Sequence, residues 1–107
     1  MKRVFISHPF SGDEVENTRK ADEICKKIME SDVDVLPVSP LHLFSFLEDD
    51  GGVREAIMTQ CYYMILSCDE LWSFGDSKGC VREEAWAYKA NVNIRKVQDI
   101  DKLLSTL

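Results

Sequence analysis

The stretch that most constrains this chain runs from Cys68 to Glu84, CDELWSFGDSKGCVREE. Leu71 to Phe74 is apolar and aromatic enough for a buried strand, Gly75 to Gly79 is turn chemistry, and helix formers follow. A strand, a loop and a helix in that order place the backbone N–H groups of the helix start, near Ser77 to Cys80, at the carboxyl end of a strand. Open α/β sheets bind their ligands there. Glu83 and Glu84 then lie about one to two turns into the helix, close enough for one of them to look back into the crevice.

Upstream, Arg3 to Ser7 reads as a first strand, and His8-Pro9-Phe10-Ser11-Gly12-Asp13 is a loop whose Pro and Gly stop it. From Val15, the apolar residues Ala21, Ile24, Cys25, Ile28 and Met29 follow the spacing of a helix buried on one face. Val33 to Val38 is a second strand, with Pro37 near its end, where a missing donor does least harm. Ser39 to Gly52 is a long connection carrying His42, Leu43, Phe44, Phe46, Asp49 and Asp50. Its length and apolar residues predict a lid over the crevice or a subunit contact.

A helix is expected over Val53 to Ser67, with Val53, Ile57, Cys61, Met64 and Ile65 inward. Another is expected over Gly79 to Ala90, with Cys80, Val81, Glu84, Ala85 and Tyr88 around one side. Asn91 to Asn93 ends that helix, Ile94 to Val97 is a short last strand, and Ile100 to Leu104 is a terminal turn or helix. Strands alternating with helices imply parallel pairing through right-handed crossovers. The expected fold is therefore α/β, a small doubly wound, flavodoxin- or Rossmann-like parallel sheet of four strands in order 2-1-3-4 with helices on both faces. In that order the loops after Ser7 and Phe74 face each other at the switch point.

A chain of 107 residues fits one domain over 1–107, and its formal charge of −6 argues against nucleic-acid polymers and anionic membranes as partners. No apolar run reaches membrane-spanning length and no apolar leader precedes the first strand, so a cytoplasmic protein is expected. Cys25, Cys61, Cys68 and Cys80 lack C-x-x-C spacing and a nearby His pair, which favours four reduced thiols over disulfides or zinc. No metal or cofactor is implied.

Arg3 to Gly12, Asn17, Ala21, Val38-Ser39-Pro40, Cys68 to Trp72, Ser77-Lys78-Gly79 and Glu83 together resemble the nucleoside 2-deoxyribosyltransferase-like superfamily, in particular its short phage and bacterial members. The resemblance covers about residues 3–97. It implies a flavodoxin-like fold, cleavage or exchange of the N-glycosidic bond of a nucleoside or nucleotide, and a Glu nucleophile in an S-x-G-x-x-x-E stretch, here Ser77, Gly79 and Glu83. A carboxylate at the anomeric carbon either stabilises oxocarbenium character or forms a glycosyl ester that an acceptor opens. Glu84 is the alternative to Glu83, and a carboxylate in a helix's first turns is also favoured by the dipole alone.

Ser77, Lys78 and Gly79 are the expected binders of a 5′-phosphate. Ser7, Phe10 and Gly12 are expected to wrap the sugar or base, with Phe10 as a stacking face and Gly12 allowing close approach. Asp69, at the opposite end of its strand, is expected to be structural, and Trp72 to be core.

The transferases also carry an Asp on the helix before the central strand, and the corresponding region here, Met58 to Tyr62, has no carboxylate. The leaving base would then take its proton from Asp76, His8, Asp49 or Asp50. Two further readings stay open: a protein that binds a nucleotide-type ligand without cutting it, in a phage or defence setting, and an interaction protein with a vestigial crevice. That interaction protein would be held together through aromatic helix faces such as Tyr62, Tyr63 and Trp86, and a homo-oligomer is expected.

Overall fold

Alternation along β1 (Lys2–Ser7) divides the molecule into two layers of core: Val4 and Ile6 point to one face of the sheet, Phe5 and Ser7 to the other, and all four are buried. The computed structural model describes the backbone of residues 1–43 and 51–107, and the side chains of 1–41 and 55–107. Four strands, β1, β2 (Val35–Val38), β3 (Glu70–Ser73) and β4 (Asn93–Lys96), form one parallel sheet in the order β2-β1-β3-β4. Both the order and the parallel pairing are those expected.

Val4, Ile6 and Trp72 pack against Ile28 of α1 (Glu14–Glu30), with Ile100, Leu103 and Leu104 of α5 (Ile100–Ser105) at the margin. Phe5 and Leu71 pack on the other face against Cys61 and Ile65 of α3 (Gly51–Leu66) and Ala87 of α4 (Lys78–Lys89). Helices therefore cover both faces, as a doubly wound sheet requires. Asp13, Ser77 and Asp99 cap α1, α4 and α5, each side chain accepting a first-turn N–H. Beyond α4, Asn91 takes the left-handed conformation (φ 59°) and turns the chain into β4.

The inner face of α4 differs from expectation. Cys80 is buried and Glu84 partly buried, as expected, but Val81, Ala85 and Tyr88 are exposed, Val81 and Tyr88 to 55% and 79%, and the small Ala87 and the partly buried Glu83 take their place. Apolar identity widened the stripe in the wrong direction: the helix lies close to the sheet on small side chains, and its two carboxylates fall in the middle of that face. Val15 and Met29 of α1 are likewise exposed. The connection after β2 begins with a four-residue helix, α2 (Pro40–Leu43). Phe44, Phe46, Asp49 and Asp50, and the side chains of His42, Leu43 and Val53, lie outside the described residues, and so does the expected lid.

Asp69 accepts a hydrogen bond from the backbone N–H of Arg3 at 2.8 Å, and Trp72 is buried, its Nε1–H donating to Glu70 at 2.9 Å. All four cysteines are free thiols.

Candidate functional site

β1 and β3 are neighbours and end in register, Ser7 beside Ser73. Past these ends, the Phe74 N–H donates to the Ser7 carbonyl at 2.8 Å. A Cβ placed on Gly75 would lie 2.5 Å from Cγ of Pro9. The two loops thus close on each other at the switch point, and Gly75 is the residue that lets them. Gly75→Ala is expected to cost about 1–3 kcal/mol, because the proline ring it meets is rigid, and to push the loops apart. A urea titration of the variant checks this, and an unchanged midpoint would refute it.

From α4, each glutamate reaches one of the paired serines. Ser7 Oγ donates to Glu83 Oε1 at 2.6 Å, and Ser73 Oγ lies 2.8 Å from Glu84 Oε2. Consecutive residues on a helix point about 100° apart, so the two carboxylates fan over adjacent strands rather than competing for one place. Their surroundings differ. Burial pushes the Glu83 carboxyl up to about 7, against the opposing hydrogen bond of Ser7 and the charge of Arg82. Glu84 is paired with Lys96 at 3.4 Å. Cys61 of α3 is close enough to feel the charges of both Glu83 and Arg82, and burial, with Glu83, pushes its thiol up to about 12.

Ser77 Oγ accepts the Cys80 N–H at 3.2 Å and the Ser77 carbonyl accepts that of Val81 at 2.9 Å. The expected cradle is thereby narrowed to the N–H groups of Lys78 and Gly79, since that of Cys80 is already taken. Lys78 is exposed, and a Cβ on Gly79 would meet nothing closer than 3.8 Å. Asp76 is 89% exposed and pairs with Lys96 at 3.6 Å.

His8 stands apart from Glu83, lining a cleft of about 250 Å³ on the α1 side with Lys20, Glu23, Phe74 and Val97. Its Nδ1 is 2.8 Å from the Pro9 carbonyl, and burial, helped by the charge of Lys20, holds the ring below its usual range. Phe10 is partly exposed, and its carbonyl accepts from Asn17 Nδ2 at 3.1 Å. Gly12 takes φ +105° with open space about it, so the backbone conformation itself demands glycine there.

Sequence reasoning did not single out Ser73, Arg82 or Lys96, and it placed Cys61 inward without linking it to Glu83. Strand-end serines two residues beyond a buried apolar position, on the same face, were the available signal for Ser7 and Ser73.

The structure is an open parallel α/β sheet with a partly buried carboxylate at its switch point, the edge at which sheets of this class hold ligands. Within that class, the chain belongs to the family described as Domain of unknown function (DUF7768), which matches residues 2–97. No curated protein matches it by sequence. Its fold is that of the 2-deoxyribosyltransferases. The 2-desoxiribosyltransferase from Leishmania mexicana superposes with a TM-score of 0.63 at 15% identity, covering 88% of this chain and 62% of that one. A 2-deoxyribosyltransferase from Bacillus psychrosaccharolyticus gives 0.64 at 12% identity, covering 92% and 78%. A conserved protein from Enterococcus faecalis V583 gives 0.66 at 15% identity, covering 99% and 74%. The chain thus spans less than two thirds of the length of the Leishmania enzyme. Among the described residues, no helix is long and apolar enough to cross a membrane.

Proposed function

We propose that this protein cleaves or exchanges the N-glycosidic bond of a nucleoside or nucleotide, with Glu83 as the nucleophile. The observation that carries this reading is the 2.6 Å hydrogen bond from Ser7 to a partly buried Glu83 at the switch-point edge. A Glu83 oxygen attacks C1′, and the C1′–N bond breaks with its electron pair going to the base nitrogen, which takes up a proton. Water or an acceptor base then opens the glycosyl ester and frees the carboxylate. The ester is uncharged, which suits a site whose burial disfavours the carboxylate. Ser7 orients the attacking oxygen, Phe10 and Gly12 shape the sugar or base side, and Ser77, Lys78 and Gly79 receive a phosphate.

The proton for the leaving base is less well provided. Asp76 is exposed and engaged with Lys96, and His8 lines a separate cleft with its Nδ1 at the Pro9 carbonyl and burial disfavouring its charged form. The rate is therefore expected to follow the leaving base's own ability to depart. That same feature favours a second reading, a protein that holds a nucleotide-type ligand without turnover. Incubation with deoxynucleosides and deoxynucleotides, with and without an acceptor base, tests both: released base supports the enzyme, while calorimetric binding without release supports the binding protein.

For the enzyme, kcat/KM should rise with pH through about 7 and level off above it, because the reactive form is the carboxylate. A profile flat from pH 5 to 9 would remove Glu83 from the role. A homo-oligomer in the cytoplasm, joined through the aromatic cluster in which Tyr62 meets Tyr63 and Trp86 edge-on, completes the proposal. Light scattering reads the assembly.

A further inference from the structure

Among the described residues no carboxylate forms an ion pair with Arg82, although its charge reaches Glu83. Glu83 takes its hydrogen bond from Ser7, and Glu84 and Asp76 pair with Lys96. The Arg82 guanidinium instead lies over the Trp86 ring, 5.5 Å from its centroid, and Trp86 in turn meets Tyr62 edge-on. Among the described residues its Nε is buried with no hydrogen-bond partner. A buried donor without an acceptor is costly, and with the guanidinium held by stacking it is the outer Nη edge, unbonded among the described residues, that faces the Gly79 patch and can take an anion. The stack also fixes where that edge is. A Cβ on Gly79 would stand 3.8 Å from Nη2 of Arg82 and 3.9 Å from Oγ of Ser77, so the guanidinium and the serine border the same bare patch at the start of α4. The N–H groups of Lys78 and Gly79 open the same helix.

Given the N-glycosidic reading above, we propose that Arg82 reads an anionic group on the substrate, so that the site takes a nucleoside 5′-monophosphate in preference to the free nucleoside. Lys78 was the side chain expected to supply this charge, but it is exposed, whereas Arg82 is held in place by Trp86. A planar fork accepts two phosphate oxygens at once, which an ammonium does not. Removing it should therefore raise KM for the monophosphate.

The test compares kcat/KM for deoxynucleoside monophosphates and the matching nucleosides in the wild type, Arg82→Gln and Arg82→Lys. It also measures binding of inorganic phosphate to each protein by calorimetry, with folding verified by circular dichroism. The wild type should prefer the monophosphate at least tenfold. Arg82→Gln should lose that preference by about 10–100-fold, mainly through KM, with phosphate binding weakened in parallel, and Arg82→Lys should fall between. Equal handling of nucleoside and monophosphate by the wild type, or an equal loss on both in Arg82→Gln, overturns the proposal and leaves the N-glycosidic reading standing. If no substrate releases base, that reading falls, and phosphate binding decides for Arg82 alone: weakening in Arg82→Gln upholds its role, while unchanged or absent phosphate binding in the wild type and variant refutes it. Should Arg82→Gln fail to fold, the Arg82→Lys ratio decides in the same way.

Discussion

Glu83→Gln abolishes base release and at the same time makes the protein more stable above neutrality. The loss of rate is expected to be on the order of ten-thousandfold, because an amide cannot form the glycosyl ester and the barrier loses its nucleophile. The gain in stability follows from the same burial. In the folded protein the carboxyl titrates near 7, above its value of 4.5 in an unfolded chain. The folded state therefore holds its proton more tightly than the unfolded state does, so the wild type loses stability as pH rises from about 4.5 to about 7. A shift of this size corresponds to about 3 kcal/mol.

Glutamine carries no charge and keeps an oxygen for the Ser7 hydroxyl, so the variant escapes the penalty. Urea titrations should show it about 3 kcal/mol more stable than the wild type at pH 8 and no more stable at pH 4. Turnover that survives the substitution would end the nucleophile assignment. Equal stability at both pH values would mean that Glu83 is better solvated than its packing indicates. The matching Glu84 variant is a control, since Glu84 bonds Ser73 and Lys96 and its loss should act on stability rather than on chemistry.

Glu70→Ala is expected to cost about 3 kcal/mol, with no direct effect on the site at the other end of the sheet. Its side chain is 7% exposed and collects Lys2 at 2.7 Å, the Trp72 indole at 2.9 Å and Arg95 at 3.1 Å. Most of the cost comes from Trp72, whose buried N–H would be left without an acceptor, a loss of about 1–3 kcal/mol to which the vacated volume adds. Lys2 and Arg95 are about half exposed. Removing either singly should cost under about 1 kcal/mol, as solvated ion pairs do.

Burial alone would raise the Glu70 carboxyl, but the hydrogen bonds of Lys2, Trp72 and Arg95 overcome it and hold the group below its ordinary 4.5. The sign is thus opposite to that of Glu83: this stability is present above about 4.5 and is lost as pH falls through the lower folded value. Denaturation of Glu83→Gln across pH 3 to 6 isolates that acid limb. A limb of equal size in the Glu83→Gln, Glu70→Gln double variant would show that it comes from another group.

The order of motifs was enough to reach the architecture. Alternation in Val4 to Ser7, the helical spacing of Ala21 to Ile28, and the turn chemistry from Gly75 to Gly79 are local patterns whose consequences for parallel pairing are nearly forced. From these the sequence by itself determined a four-stranded sheet in the order 2-1-3-4, a switch point between β1 and β3, and the placing of Ser77 and Glu83 beside it. The inner face of α4 was beyond its reach. Hydrophobicity placed Cys80 correctly but added Val81, Ala85 and Tyr88, while the fold buried Ala87 instead, because how closely a helix approaches a sheet depends on side-chain size at the contact and not on apolarity alone.

That rotation is what brings Glu83 to Ser7, Glu84 to Ser73 and Lys96, and the Arg82 fork to Gly79. Each of these pairs joins residues from different elements or sets the direction of a long side chain, and such contacts are decided by tertiary packing. The raised Glu83 carboxyl has the same origin, since loss of water around a group depends on every element that surrounds it.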